Sequence, residues 1–244
     1  IEVFDSAPIY GFGQSEKFIG KAFKLMREKV FITSKSGVTW HNTKRVNMTN
    51  DPKVTQLMLE QSLKDLNTDY IDLYFIHWPD KNVDIRRPLE ILSKAKDQGK
   101  IKYIGLCNTN LEDLEKASKV DDIAVVQAEY NFFSRYDVDV FDYIKAHQIA
   151  FMSYGTLDKG ILTKHVNKTR EKNRDYDESD CRKWAPWWKN SDRTMKFQAV
   201  EKIEDLLNLY RHSLLEFALA YNLSHPNINT LLCGMRNQDQ IDSI

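Results

Sequence analysis

The sequence predicts an α/β fold, in which short strands alternate with helices along the 244-residue chain. Seven short β-rich runs recur, and each ends at a polar residue or a glycine. Most of these runs are almost continuously apolar, which is typical of parallel strands covered on both faces. The segments between them place apolar residues at i, i+3 and i+4, the spacing of helices. This alternation indicates βα repeats and a parallel sheet.

The predicted elements follow one another in a regular order. The strands are IEVFD (1–5), VFITSK (30–35), YIDLYFIH (70–77), KYIGLCN (102–108), IAVVQ (123–127), IAFMSY (149–154) and INTLLCG (228–234). The helical segments are SEKFIGKAFKLMREK (15–29), DPKVTQLMLEQSLKDLN (51–67), RRPLEILSKAKDQGK (86–100), DLEKASK (113–119), DVFDYIKAHQ (139–148) and SLLEFALAYNLSHP (213–226). Pro88 suits a first helical turn and Gly99 a C-terminal cap, which supports the third helix.

The number of βα units points to a closed barrel rather than a small open sheet. We predict a TIM-type (β/α)8 barrel whose first strand and helix are missing from the chain, since about 250 residues are typical of the complete fold. Residues 1–244 are predicted to form this single domain, incomplete at both ends. Residues 165–196 break the rhythm, and we interpret them as a long loop on the active-site face. Trp184, Trp187 and Trp188 either wall the pocket or anchor that loop.

The composition excludes several classes of protein. Thirty-five basic and 35 acidic residues give a formal net charge of zero, so we expect neither nucleic-acid nor membrane-surface binding. Cys107, Cys181 and Cys233 are too scattered for a disulfide framework or a zinc motif, and we expect a reducing, cytoplasmic location. Because the sequence starts at Ile1, within a predicted strand, we expect that the true N-terminus is absent from it. The sequence therefore leaves open whether a signal peptide lies upstream.

Polar residues at the strand ends would meet at one face of a barrel, where catalytic residues of this fold lie. Asp5 and Lys35 end neighbouring strands and are expected to form an ion pair. Tyr10 follows Asp5 closely, and a nearby lysine would lower the pKa of its phenol from about 10. His77 could donate a hydrogen bond to the same substrate oxygen. This set suits carbonyl reduction, in which a nicotinamide supplies the hydride that no side chain can donate.

Seven motifs along the chain are similar to those of the aldo-keto reductase family, and they occur in that family's order. They are FDSAPIYG (4–11), ITSK (32–35), YIDLYFIHWPD (70–80), GKIKYIGLCN (99–108), VVQAEYN (125–131), SYGTLDKGILT (153–163) and ALAYNLSHPNINTLLCG (218–234). The resemblance implies a catalytic tetrad of Asp5, Tyr10, Lys35 and His77, with Tyr10 as the proton donor.

The same resemblance implies that the cofactor is NADPH, with no metal. Its implied contacts are Cys107, Asn108 and Gln127 at the carboxamide, Tyr154 against the nicotinamide ring, Leu157, Gly160 and Lys164 at the pyrophosphate, and Gly234, Arg236 and Gln240 at the 2′-phosphate. Cys107 stands where the family usually has serine. Trp40 and Trp78 are expected to wall the substrate pocket.

The leading hypothesis is therefore an NADPH-dependent reductase of a small-molecule aldehyde or ketone. An alternative is a cofactor-binding regulatory subunit with little turnover, similar in type to the potassium-channel β-subunits. Retention of all four tetrad residues favours turnover. A hydrolase on the same fold would need clustered carboxylates or histidines at the strand ends, and Asp5 beside a lysine does not supply them. The physiological substrate, the oligomeric state and the strictness of the preference for NADPH over NADH stay open.

Overall fold

The computed structural model describes residues 1–43, 45–178 and 180–244, and all seven predicted strands are present among them. The strands described are Val3–Asp5 (β1), Phe31–Ser36 (β2), Val38–Trp40 (β3), Val46–Met48 (β4), Ile71–Ile76 (β5), Ile101–Cys107 (β6), Ile123–Glu129 (β7), Ala150–Tyr154 (β8) and Thr230–Leu231 (β9). The prediction therefore missed β3 and β4.

Each of the six predicted helical segments also contains a helix. The helices are Gln14–Phe23 (α1), Pro52–Leu66 (α2), Arg86–Asp97 (α3), Leu111–Ala117 (α4), Val138–Ala146 (α5), Lys168–Asn173 (α6), Cys181–Trp184 (α7), Pro186–Lys189 (α8), Thr194–Tyr210 (α9), Leu214–Leu223 (α10) and Gln238–Asp242 (α11). Short 3₁₀ segments occupy Arg27–Lys29 and Asp158–Thr163. Helix α1 ends earlier than predicted, where Leu25 is exposed and packs on nothing that would extend the helix.

The chain divides into two compact units. The first comprises residues 1–128 and 136–152, and the second comprises residues 129–135 and 153–244. In the first unit the sheet order is β1-β2-β5-β6-β7-β8, and the pairs from β1 to β7 are parallel. In the second unit, Leu232 N donates to Ser153 O at 2.8 Å, which joins the end of β8 to the β9 segment.

The sheet of the first unit is buried on both faces, as its apolar runs predict. All six residues of β5 are buried, with helices α2 and α3 flanking that strand in the chain. Gly105 on β6 allows the close approach of its neighbours, because a Cβ there would lie 2.4 Å from Phe75 Cε1 and 2.9 Å from Val125 O. This packing fixes the register in which the strand ends present their polar residues.

Strands β3 and β4 form an antiparallel hairpin directly after the lysine-bearing strand β2. The hairpin is closed at its base by Thr49 N, which donates to Gly37 O at 2.9 Å. Gly37 has φ +99°, and a Cβ there would lie 2.6 Å from Asn50 Oδ1, so glycine is required at this turn. Each strand is only three residues long, too short for a periodic signal in the sequence.

The second unit has its own apolar core, and part of the predicted loop 165–196 contributes to it. Val166, Tyr176 and Trp188 from the loop pack with residues of α9 and α10. Trp188 therefore anchors the loop, whereas Trp187 is exposed and the side chain of Trp184 lies outside the described residues. The predicted role of residues 165–196 at the active-site face stays a prediction. Among the described residues, no helix has the length and hydropathy of a membrane span.

Candidate active site

A buried ion pair joins the ends of β1 and β2. The parallel register sets Asp5 opposite Thr33, and Lys35 lies two residues further along, on the same face of β2 as Thr33. Lys35 Nζ donates to Asp5 Oδ2 at 2.6 Å and to Ser6 O at 2.8 Å, and Thr33 Oγ1 donates to Asp5 Oδ1 at 2.6 Å. The Lys35 side chain is 0% exposed and that of Asp5 is 12% exposed. The expected pair of Asp5 and Lys35 is therefore present in the structure.

The positive charge of Lys35 is stable at neutral pH. Burial alone would lower the pKa of Lys35, but the Asp5 carboxylate and, to a lesser degree, Tyr10 raise it above its ordinary value. The Lys35 ammonium therefore keeps its proton. It presents a fixed positive charge to the groups around it.

Tyr10 lies in the turn that follows β1, with its ring next to this cation. Lys35 Nζ is 5.0 Å from the centroid of the Tyr10 ring. Burial of the phenol raises the pKa of Tyr10, although the Lys35 cation opposes the shift and Asp5 adds to it. The expectation of a lowered pKa is wrong in its net direction, because loss of hydration outweighs the cation. Although 38% of the whole residue is exposed, the phenol group itself is desolvated.

His77 follows β5, and its ring contacts that of Tyr10. The two rings are 5.9 Å apart at an interplanar angle of 84°, and His77 N donates to Ser36 O at 2.9 Å. Burial, assisted by the Lys35 cation, lowers the pKa of His77 from 6.5 to about 3. The imidazole is therefore neutral at physiological pH. It can donate one hydrogen bond without adding a second positive charge.

Three predicted carboxamide contacts lie beside this cluster, in the same unit. Gln127 Nε2 donates to Asp5 Oδ1 at 2.9 Å, and Cys107 Sγ donates to Gln127 Oε1 at 3.4 Å. Asn108 has φ +54°, and its Nδ2 donates to His77 O at 3.1 Å. Burial raises the pKa of the Cys107 thiol, so it stays protonated. The structure thus links Gln127 directly to Asp5 and Asn108 directly to His77, and it links Cys107 to Asp5 through Gln127.

The two predicted pocket tryptophans each make a ring contact. The Trp78 ring stacks on that of His77 at 6.5 Å. The Trp40 ring, on β3, meets that of Phe12 at 5.9 Å and 68°. Phe12 was missed in the sequence because its segment resembles only a turn, and its φ of +53° is uncommon for a bulky residue. Each predicted pocket residue therefore contacts one aromatic ring near Tyr10 in the structure or the sequence: Trp78 contacts His77, and Trp40 contacts Phe12.

The second unit contains a cavity of about 770 Å³. The predicted cofactor residues that line it are Leu157, Gly160, Gly234, Arg236 and Gln240. Lys164 and Tyr154 are not among its lining residues, and Lys164 forms an ion pair with Glu204 instead. The lining also includes cations that the sequence did not single out, namely Lys159, Arg170 and Arg182.

A carboxylate in this cavity neutralises part of its positive charge. Arg182 Nη2 and Arg236 Nη1 donate to Asp180 Oδ2 at 2.5 Å and 3.2 Å. The hydrogen bond from Arg182 holds the pKa of Asp180 below its usual range. Arg236 also donates its backbone N–H to Gln240 Oε1 at 2.7 Å. Asp180 was missed because nothing local in the sequence pairs it with a residue 56 positions away.

Within the described ranges, no three His, Cys, Asp or Glu side chains come together as a metal ion would require.

Known relatives define the class of protein: an NAD(P)H-dependent oxidoreductase of TIM-type (β/α)8 fold that acts on carbonyls or alcohols. The family model described as "Aldo/keto reductase family" matches residues 1–244, and the chain belongs to this family. The predicted family and fold class are confirmed.

Individual relatives cover the chain almost completely. It is 32% identical over 248 residues to "Aldo-keto reductase YhdN" of Bacillus subtilis (strain 168), covering 100% of this chain and 73% of that protein. It is 26% identical over 255 residues to the "NADH-specific methylglyoxal reductase" of Escherichia coli (strain K12), covering 99% and 76%. The solved glycerol dehydrogenase AKR11B4 from Gluconobacter oxydans matches with a TM-score of 0.81 at 26% identity, covering 100% of this chain and 79% of that one. The chain thus spans about three quarters of the length of these relatives.

Proposed function

We propose that the protein reduces a small-molecule aldehyde or ketone to an alcohol, with NADPH as the preferred hydride donor and Tyr10 as the proton donor. The observation that carries the proposal is the buried Lys35 ammonium, which is bonded to Asp5 at 2.6 Å and lies 5.0 Å from the Tyr10 ring. A neutral His77, whose ring contacts that of Tyr10, completes the proposed tetrad.

The protein's residues supply the proton and stabilise the charge that develops on oxygen. When bound, the nicotinamide supplies the hydride that goes to the carbonyl carbon. The carbonyl oxygen then takes the phenolic proton of Tyr10, which leaves a phenolate beside the Lys35 cation. The raised pKa keeps Tyr10 protonated at neutral pH, and the cation offsets the cost of forming the phenolate. His77 donates a hydrogen bond to the same oxygen, and solvent returns the proton to Tyr10.

Donors and cations of the second unit suit a dinucleotide carrying phosphates. The cavity is lined by backbone at Gly155 and Gly160 and by the side chains of Lys159, Arg182 and Arg236, which match the negative charge of a pyrophosphate and a 2′-phosphate. Because Lys159 and Arg182 line the cavity and Lys164 does not, Lys159 and Arg182 are the better candidates for the pyrophosphate. We propose Gly234 and Gln240 near the 2′-phosphate, and Asn108 and Tyr154 at the nicotinamide.

The preference for NADPH rests on Arg236, the cation that the resemblance aligns with the 2′-phosphate. The E. coli relative named as NADH-specific means that family membership alone does not decide this preference. The Arg236 side chain is exposed, and its Nη1 donates to Asp180 Oδ2 at 3.2 Å, so a 2′-phosphate can compete for it. We expect preference for NADPH rather than exclusivity, because Asp180 stays nearby.

The test is Tyr10→Phe, assayed by NADPH oxidation with a reactive aromatic aldehyde. We expect kcat to fall by at least about 10²-fold, the usual scale for a general acid. Cofactor affinity, followed by quenching of nicotinamide fluorescence, should stay near wild type. Tyr103→Phe is the matched control, because Tyr103 lies near the start of β6 and stacks on Phe31.

Two outcomes would contradict the proposal. Unchanged aldehyde reduction by Tyr10→Phe would remove Tyr10 as the proton donor. A wild-type protein that binds NADPH but turns over no aldehyde or ketone would favour the regulatory-subunit alternative.

A further inference from the structure

Asn50 is a buried polar residue between β4 and α2, and it holds the chain that follows β5. Asn50 is 0% exposed. Its side-chain Nδ2 donates to Trp78 O at 3.0 Å, and its backbone N donates to Asp80 Oδ2 at 3.2 Å. One residue therefore binds the segment that carries Trp78 at two points.

The partner of the Asn50 amide determines which way the amide faces. Trp78 O is a carbonyl oxygen and can only accept, so the amide nitrogen must face it. Asn50 Oδ1 then lies against Gly37, where a Cβ would be 2.6 Å away. Within the described part of the chain, this oxygen has no hydrogen-bond partner, which costs stability in a buried site. An asparagine here is therefore better explained by the donor it gives to Trp78 than by stability alone.

The backbone of His77 has anchors of its own. His77 N donates to Ser36 O at 2.9 Å, and His77 O accepts from Asn108 Nδ2 at 3.1 Å. Trp78 begins the part of the chain that lies beyond these anchors, and its carbonyl is the group that Asn50 binds. Loss of the Asn50 donor should therefore move Trp78 and leave the backbone of His77 in place.

The Trp78 ring lies where it can meet a ligand. It stacks on the His77 ring with centroids 6.5 Å apart and an interplanar angle of 24°, and the residue is still 40% exposed. The His77 ring in turn contacts that of Tyr10. An exposed indole near the proposed proton donor offers a flat apolar surface to the part of a substrate beyond its carbonyl. The orientation of this surface depends on the peptide group that Asn50 binds.

We propose that Asn50 is a positioning residue for substrate specificity, which orients Trp78 so that the face of its indole receives aromatic or other bulky apolar groups of the carbonyl substrate. This inference rests on the proposed function, with Trp78 as a wall of the substrate pocket. Because Asn50 is fully buried, it acts on the substrate only through Trp78.

The main variant is Asn50→Leu, which keeps most of the volume of the side chain and removes the donor. We expect KM for naphthaldehyde, a bulky aromatic aldehyde, to rise about threefold to tenfold, the range that corresponds to one lost hydrogen bond. KM for propanal, kcat for both aldehydes and the dissociation constant for NADPH should stay within about twofold of wild type, because only the surface for bulky groups has changed. Asn47→Leu, at an exposed asparagine on β4, is the matched control and should behave as wild type.

A double-mutant cycle tests whether Asn50 acts through Trp78. Trp78→Ala should by itself raise KM for naphthaldehyde, and Asn50→Leu should change KM by less than about twofold more in the Trp78→Ala background. The same rise in KM with and without the indole would mean that Asn50 supports the fold generally, and it would overturn the inference. An unchanged KM for naphthaldehyde in Asn50→Leu would overturn it as well. Asn50→Ala provides the same cycle if Asn50→Leu does not fold.

The fluorescence of Trp78 separates this inference from the proposed function. The signal of Trp78 is obtained by subtracting the emission of the matching protein with Trp78→Phe. We expect acrylamide to quench this signal more strongly in Asn50→Leu than in wild type, because the peptide group is no longer held. Equal quenching constants would refute the role of Asn50 even if the protein proves to be a reductase. Increased quenching in a protein that reduces no carbonyl would refute the proposed function and retain the placement of Trp78 by Asn50.

Discussion

Replacing Lys35 with methionine is the most direct test of the polar cluster, because it removes the charge and keeps much of the volume of a fully buried side chain. The change deletes the 2.6 Å bond to Asp5 Oδ2 and the 2.8 Å bond to Ser6 O. Asp5 is then left as an uncompensated carboxylate whose side chain is only 12% exposed.

The expected loss of stability follows from the partners that remain. Breaking a buried ion pair by removing one member costs about 3–5 kcal/mol. Asp5 keeps the bonds from Thr33 and Gln127 to Oδ1, and part of its surface reaches solvent. We therefore expect the lower end of that range, about 3 kcal/mol in the free energy of unfolding. Adding Asp5→Asn should recover at least about 1 kcal/mol, because the uncompensated charge is removed as well.

The assay is urea unfolding at neutral pH, followed by tryptophan fluorescence. A urea m-value of about 1–3 kcal/mol per molar converts the expected loss into a midpoint shift of about 1–3 M. Lys100→Met is the control, since Lys100 pairs with Glu60 on the surface. An exposed pair of this kind contributes only about 0–1 kcal/mol. Aldehyde reduction by Lys35→Met should be almost abolished.

Two results would refute this reasoning. A Lys35→Met protein that unfolds at the wild-type midpoint with the same m-value would mean that the pair is absent or solvated. A double variant as unstable as the sum of its single variants would mean that Asp5 and Lys35 do not interact.

Three further predictions concern the cofactor, the pH dependence and the packing. Arg236→Ala should weaken NADPH binding by about one to two decades and leave NADH binding nearly unchanged, since a bond to a charged group contributes about 1.5–3 kcal/mol; paired fluorescence titrations measure this. The pKa of His77 is about 3 when folded against an ordinary 6.5, so the unfolded chain binds more protons between these values. The stability that neutral His77 contributes is thus fully present above pH 6.5 and is lost as the pH falls, by at most about 1.4 kcal/mol per pH unit. In His77→Gln, the free energy of unfolding measured in urea should depend less on pH over this range. Gly105→Ala should lower the free energy of unfolding by about 1–3 kcal/mol, because its Cβ meets the Phe75 ring.

Each of these predictions has a contrary result. Equal NADPH affinity in wild type and Arg236→Ala would exclude Arg236 from the phosphate site, and tighter binding of NADH than NADPH by wild type would overturn the cofactor preference. Identical pH slopes for wild type and His77→Gln would show that His77 is hydrated. A Gly105→Ala protein as stable as wild type would mean that Phe75 can move aside at no cost.

The sequence was informative where a signal is local and repeated. The strand at 71–76 was predictable because its six consecutive buried residues form an apolar run that only Asp72 interrupts. Helix α9 was missed although Phe197, Val200, Ile203 and Leu207 have helical spacing, because the segment before it is polar and irregular.

In the candidate site, too, contacts between neighbouring strands were predictable from the sequence and long-range contacts were not. The pairing of Asp5 with Lys35 follows from two adjacent parallel strands, so the sequence anticipated it. The bond from Gln127 to Asp5 joins residues 122 positions apart, and no local pattern encodes it. The direction of the Tyr10 pKa was also beyond the sequence, because it depends on the balance between a nearby cation and lost hydration.

The hairpin formed by β3 and β4 carries Trp40, which we propose as a wall of the substrate pocket, on a piece of chain separate from Asp5, Tyr10, Lys35 and His77. It leaves the sheet after Ser36 and leads into α2, with its base tied by the bond from Thr49 to Gly37. Doubling the length of a loop with fixed ends costs only about 0.6 kcal/mol in closure entropy. Insertions, deletions or exchange of the whole hairpin between relatives would therefore leave the register of Lys35 intact, while replacing the tryptophan that faces Phe12. Substrate range and proton transfer can in this way evolve on separate pieces of chain.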